Sequence, residues 1–285
     1  MKLLVVEGNT LTARQARLQK MGKTPAQSYA DVLKGVAEAA HLPVSRIDIV
    51  NSADANASLA HGMALSAYSG IALTGSSLQI YETAPEITRQ IEFVRAAFAA
   101  KVPIFGSCWG LQVASVAAGG AVVRNPLGRE IGIARNIWMT AEGEGHPLLK
   151  GRARAFNAPC VHYDIVSALP PGSTCLAQNH YSAVQAAEIR YDGGLFWGVQ
   201  YHPEYDLSQI AALLDMARLS LVKEGFLANQ AEVDAMIADF NHLHENPSSR
   251  SVAWRLGLQA DVIEKAQRQL ELHNWLDYCV RPRLP

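Results

Sequence analysis

Long hydrophobic runs are missing from this 285-residue chain, and no apolar stretch is long enough to span a membrane. The opening MKLLVVEGNT is too brief for the apolar region of a signal peptide and reads as a first β-strand. Both shortages point to a cytoplasmic protein with no membrane partner. Cysteine is scarce as well. Cys108, Cys160, Cys175 and Cys279 lie far apart and form no CxxC pair, which argues against a disulfide framework or a zinc site. Excess charge is also absent. With a formal net charge of −1, the composition gives no sign of nucleic acid or an anionic surface as a partner. There is no GxxxxGK[ST] loop, so a P-loop nucleotide site is not indicated.

What the sequence does contain is alternation. Strand candidates at residues 2–6, 46–50, 70–73 and 102–105 are interleaved with helical spacing at 25–40, 85–100 and 109–118. Such alternation predicts an α/β fold with a mostly parallel central sheet and helices on both faces. From 121 to 199 the pattern changes to short strand-like runs broken by Gly, Pro and Asn, which predicts an antiparallel extension. A helix is expected at 207–224. Beyond it, residues 225–285 read as a helical C-terminal appendage to a domain at 1–224, with helices at 229–240 and 261–276 and a break at 245–250. Trp254, Leu256, Trp275 and Leu276 are large apolar residues that need burial there. The appendage is expected to pack on the domain or on a second copy, making a homo-oligomer.

The most informative segment is Gly106-Ser-Cys-Trp-Gly-Leu-Gln112. An apolar strand runs into Gly106, and a helical pattern begins after Cys108. The GxCxG arrangement is the cysteine form of the nucleophile elbow, a sharp strand-to-helix turn that exposes the reactive atom. The helix N-terminus favours the thiolate. Free cysteines are usually buried as small hydrophobes; Cys160, Cys175 and Cys279 are read that way, and Cys108 is read as a nucleophile.

A nucleophilic cysteine needs a base, and the base needs an orienting group. Phe196-Trp-Gly-Val-Gln-Tyr-His-Pro-Glu204 offers both. Pro203 biases His202 towards extended backbone, and residues two apart on an extended chain point the same way. His202 and Glu204 are therefore expected side by side.

GSCWGLQ followed by GVQYHPE resembles the paired signature of the class I glutamine amidotransferases, among them the amidotransferase domain of GMP synthase. The resemblance covers residues 1–222. It implies a Cys108–His202–Glu204 triad that attacks the side-chain amide of glutamine through a cysteinyl thioester and releases ammonia, with no metal or organic cofactor. It also implies an oxyanion hole from the backbone of Trp109 and of Gly75 or Ser76, where the family usually has Gly-Gly-Pro and this chain has Gly75-Ser76-Ser77. Gln112 matches the family glutamine that contacts the substrate, and Val161-His162-Tyr163-Asp164 resembles the family's His-Gly-Asp pocket segment with Tyr163 in place of Gly. In the family the ammonia passes to a synthetase, and the tail is too short to be one. Three readings stay open: a glutaminase serving a separate synthetase subunit, a free-standing hydrolase of other γ-glutamyl amides or peptides, and a catalytically silent sensor or scaffold.

Overall fold

The computed structural model describes residues 1–283; the remaining residues of the expected appendage, 284 and 285, lie outside the described residues. Among the described residues there are eleven strands: β1 (Lys2–Glu7), β2 (Arg46–Asn51), β3 (Gly70–Leu73), β4 (Ile104–Ser107), β5 (Ala121–Arg124), β6 (Glu130–Met139), β7 (Ala155–His162), β8 (Asp164–Ala168), β9 (Thr174–Gln178), β10 (Ala186–Tyr191) and β11 (Gly194–Val199). Nine of them form one sheet in the order β2-β1-β3-β4-β11-β10-β9-β6-β7, and β5 pairs with β8 separately. Pairings from β2 to β11 are parallel. Those from β11 onward to β7 are antiparallel. This is the expected parallel sheet with its antiparallel extension.

Strand alternation explains the two cores. Along β1, Leu3 and Val5 belong to one buried cluster and Leu4 and Val6 to another, because successive side chains leave a strand on opposite faces. The first face is covered by α2 (Pro25–Ala39), through Tyr29, Leu33 and Val36. The second is covered by α3 (Pro85–Ala99) and α4 (Trp109–Ala117). Helix α2 starts where its sequence directs: Thr24 caps it through the Gln27 N–H, and Pro25 occupies the first turn.

A helix not among those expected from the sequence, α1 (Leu11–Met21), precedes α2. Thr10 caps it and Gly22, at φ 73°, ends it. After β11 come α5 (Leu207–Lys223), α6 (Gln230–Glu245) and α7 (Arg250–Leu256). Short helices follow at Ala260–Ile263, Lys265–Arg268 and Leu270–Trp275. The expected continuous helix at 261–276 is therefore broken. Glu264 is extended, with ψ 121°. Carbonyls that a longer helix would use are taken elsewhere: Arg268 donates to Val262 and Ile263, and Arg152 donates to Arg268 and Asp261.

Trp275 and Leu276 are fully buried and join the α2 face of the sheet, where Trp275 lies 5.9 Å from Phe105. Trp254, also expected to be buried, is 85 % exposed. Helices α5 to α7 share a third apolar cluster, and that cluster is closed by Val233, Phe240 and Val252 without it. Among the described residues, no helix is long and apolar enough to cross a membrane.

Candidate active site

Four loops at the C-terminal ends of β1, β3, β4 and β11 converge, the usual place for a site on a parallel sheet. Cys108 leaves β4 with φ 53° and ψ −104° and caps the N-terminus of α4. A non-glycine residue in this region costs on the order of 1–3 kcal/mol and persists only where its surroundings impose it. The imposition is visible. A Cβ on Gly106 would sit 2.8 Å from the carbonyl carbon of Gly110, so only glycine lets strand and helix approach closely enough to make the turn. The Cys108 N–H donates to Val199 O at 2.7 Å. Its Sγ faces Val161 O at 3.6 Å.

His202 follows β11 and is 1 % exposed. Its Nδ1 lies 2.6 Å from Glu204 Oε1. The two side chains are adjacent, as expected, but the backbone between them is a turn, closed by Tyr205 N–H to His202 O at 3.2 Å, rather than extended. The Tyr205 ring stacks on the imidazole with centroids 4.1 Å apart and planes 5° apart. His202 Nε2 is buried and has no hydrogen-bond partner among the described residues. Burial pushes the imidazole pKa down, but Tyr205, Glu204 and Cys108 together outweigh it and raise it well above the ordinary value. That favours a protonated ring beside the sulfur.

The turn at Gly75 and Ser76 is clamped from β1. Glu7 accepts from the Asn9 N–H and Nδ2, and Asn9 in turn donates to Gly75 O and accepts from the Ser77 N–H. Ser76 Oγ donates to Gly8 O at 2.8 Å, so its side chain is occupied. The backbone N–H groups of Gly75, Ser76 and Trp109 make no hydrogen bond to the described residues. Gly75 packs directly on the site: a Cβ there would stand 2.8 Å from His202 Cε1 and 3.8 Å from Cys108 Cβ.

A cavity of about 370 Å³ opens over these groups. Cys108, His202, Gly75, Ser76 and Gln112 line it, together with Ala13 and Ala16 of α1 and Leu213 and Met216 of α5. Residues 32–216 match the family described as glutamine amidotransferase class-I. The chain belongs to that family. It is 34 % identical over 287 residues to the γ-glutamyl-L-1-hydroxyisopropylamide hydrolase of a Pseudomonas species, a match spanning 99 % of this chain and 94 % of that protein. It is also 34 % identical over 146 residues to the GMP synthase of Thiobacillus denitrificans, but that match spans 25 % of the synthase. The fold is shared with a glutamine amidotransferase from Thermotoga maritima (TM-score 0.66, 14 % identity, 98 % of each chain). It is shared too with one from Methylobacillus flagellatus (TM-score 0.56, 19 % identity, 98 % and 92 % of the chains).

Gln112 lines the cavity, yet its Nε2 is already bonded to Asp164 O and Gln200 Oε1, so its amide oxygen is the group left for a ligand. His162 also lines the cavity, with Nδ1 at Asp164 O and Nε2 2.8 Å from Glu130. Tyr163 also lines the cavity, with the Arg124 and Arg129 guanidinium groups 5.3 and 5.0 Å from its ring centroid and its hydroxyl donating to Glu224. Trp109 is buried, and its indole donates to Gln90. Sequence reasoning missed Ser107, Tyr29, Tyr205 and the α1 residues that line the cavity. Ser107 and Tyr205 sit beside motif residues, and adjacency was the available signal. Tyr29 carried none beyond its place on an apolar helix face.

Proposed function

We propose that this chain is a cysteine-dependent hydrolase of γ-glutamyl amides, with Cys108, His202 and Glu204 as its catalytic residues. The observation that carries the proposal is the strained Cys108 elbow set beside an unpartnered His202 Nε2 in one cavity. The Cys108 thiolate attacks the γ-carbonyl carbon and forms a C–S bond. Backbone N–H groups at Gly75 or Ser76 and at Trp109 hold the oxyanion; donors of this kind are worth about 10²–10³ in rate. His202, held by Glu204, gives its Nε2 proton to the departing nitrogen as the C–N bond breaks. Water that loses a proton to His202 then attacks the γ-glutamyl thioester, releasing glutamate and the thiol.

The reading places a leaving amine larger than ammonia against the lining that α1 and α5 contribute. Two observations support it. Ala13, Ala16, Leu213 and Met216 offer apolar surface that ammonia would not use. The match to the Pseudomonas hydrolase runs the length of both proteins, C-terminal helices included. On this reading the segment after Glu224 braces the domain at 1–224, with Trp275 as its anchor.

Hydrolysis of glutamine, γ-glutamyl isopropylamide and a γ-glutamyl dipeptide tests the assignment. The highest kcat/KM is expected for the alkylamide. Turnover of glutamine alone, appearing only when a synthetase is added, would make the chain a glutaminase subunit instead. No turnover, together with no reaction of Cys108 with iodoacetamide, would make it a scaffold.

A further inference from the structure

Two buried hydroxyls stand behind the site with no part in the chemistry above. Ser107 immediately precedes Cys108 and is fully buried. Its Oγ donates to Glu204 Oε2 at 2.9 Å. Tyr29, 1 % exposed on the inner face of α2, has its hydroxyl 3.0 Å from Ser107 Oγ. The direction of the second bond follows from the first. An ionised carboxylate only accepts, and a serine has one proton, which goes to Glu204; Tyr29 must therefore donate to Ser107. Burial first, and then the Glu204 charge, hold the Tyr29 pKa well above its ordinary value, so the phenol keeps the proton it donates.

We propose that Tyr29 and Ser107 are positioning residues that extend the site into a directed chain, Tyr29 to Ser107 to Glu204 to His202. Glu204 touches His202 through Oε1 alone. A carboxylate held at one oxygen can still rotate. The Ser107 bond fixes the other oxygen, and so fixes the plane in which His202 Nδ1–H must lie and the direction in which Nε2 faces Cys108. The elbow explains how adjacent residues divide the work. Ser107 ends β4 inside the core, and the φ reversal at Cys108 turns the next side chain into the cavity. Tyr29 is placed by the start of α2, where Glu7 Oε2 accepts from the Ala26 N–H at 2.8 Å. One buried glutamate thus anchors both the helix that carries Tyr29 and, through Asn9, the turn that carries Gly75.

The proposal rests on the thioester reading, and the experiment separates the two. Ser107→Ala, Tyr29→Phe and the double variant each remove hydroxyls without adding bulk. Steady-state hydrolysis of γ-glutamyl isopropylamide is read across pH, along with iodoacetamide alkylation of Cys108, which needs no substrate. Ser107→Ala is expected to lower kcat about ten- to hundredfold, the range for losing a hydrogen bond to a charged group, with KM little changed. The basic limb of kcat/KM should move to lower pH, because Glu204 helps to hold the His202 proton and a carboxylate left free to rotate holds it less firmly. Tyr29→Phe should lose about two- to tenfold. The double variant should be no slower than Ser107→Ala, since Tyr29 acts through Ser107. Should Ser107→Ala fail to fold, Tyr29→Phe, on a separate helix, carries the same pH test. Wild-type kcat and pH profiles in the single variants, or losses that multiply in the double, would overturn the chain. If Cys108→Ala is inactive while the hydroxyl variants behave as wild type, the chain alone falls; if Cys108→Ala still hydrolyses the amide, the thioester reading falls with it.

Discussion

Replacing Gly75 with alanine adds one methyl group at the place where the candidate site has least room. Gly75 is not among the residues with positive φ, so an alanine backbone is unstrained there and any loss must come from the Cβ itself. That atom would stand 2.8 Å from His202 Cε1 and 3.6 Å from Nε2. Ordinary carbon contacts begin near about 3.5 Å, so something must shift by roughly 0.7 Å. The turn cannot easily retreat, because Asn9 Nδ2 and Thr74 Oγ1 both hold Gly75 O. Nor is the ring free: Glu204 grips Nδ1 at 2.6 Å, the His202 N–H is bonded to Pro159 O at 2.7 Å, and Tyr205 backs its face. A displacement approaching 1 Å at a reacting group costs about 10²-fold, and overpacking of this kind costs about 1–3 kcal/mol of stability. Gly75→Ala should therefore lower kcat on γ-glutamyl isopropylamide by one to two orders of magnitude and slow iodoacetamide capture of Cys108, while the protein stays folded by circular dichroism. Wild-type kcat in that variant would refute the packing argument and with it the placement of His202 as the acid and base.

Three further outcomes follow from the same geometry. Trp275→Ala empties a fully buried indole site beside Phe105 and should cost about 3–5 kcal/mol, seen as a melting temperature lower by at least about 6 °C. Trp254→Ala, at a side chain 85 % exposed, should change stability by no more than about 0.5 kcal/mol in the same scan. Burial works to raise the Glu188 pKa, but bonds from His146, Trp197 and Arg190 bring it down to about 2 from 4.5. A carboxylate depressed in the folded state gives stability that is present above its unfolded pKa and lost as pH falls through the folded one. Stability should therefore decline more steeply between pH 4.5 and about 2 in the wild type than in Glu188→Gln, by on the order of 2 kcal/mol; parallel acid titrations by fluorescence check it.

How much of this was legible in the sequence depended on the kind of signal. Hydrophobic period found the parallel strands, and the β3 bounds at Gly70–Leu73 coincide with those observed. The GxCxG spacing located the turn at Cys108, because that motif encodes local backbone geometry; His-Pro-Glu located the His202–Glu204 contact, which a turn closed by Tyr205 makes in place of the extended backbone expected there. Helix α1 was missed because its mean hydropathy is low and it lines a cavity rather than the core; Thr10 and Gly22, read as caps, would have revealed it. The break at Glu264 is set by Arg152 and Arg268, which compete for helix carbonyls, and no local pattern announces such long-range contacts. Trp254 was expected inside on size alone, but the third cluster closes without it. Ser107 and Tyr29 escaped for a related reason. They lie 78 residues apart in sequence, and a single hydroxyl on a core-facing position looks like packing until its partner is seen.

The central claim is a covalent one, and mass spectrometry addresses it directly. Enzyme mixed with γ-glutamyl isopropylamide, quenched in acid during turnover and digested, should yield the peptide containing Cys108 carrying one glutamyl group, with the peptides of Cys160, Cys175 and Cys279 unmodified and no adduct in Cys108→Ala. Turnover without an adduct on Cys108, or turnover that survives Cys108→Ala, would contradict the account.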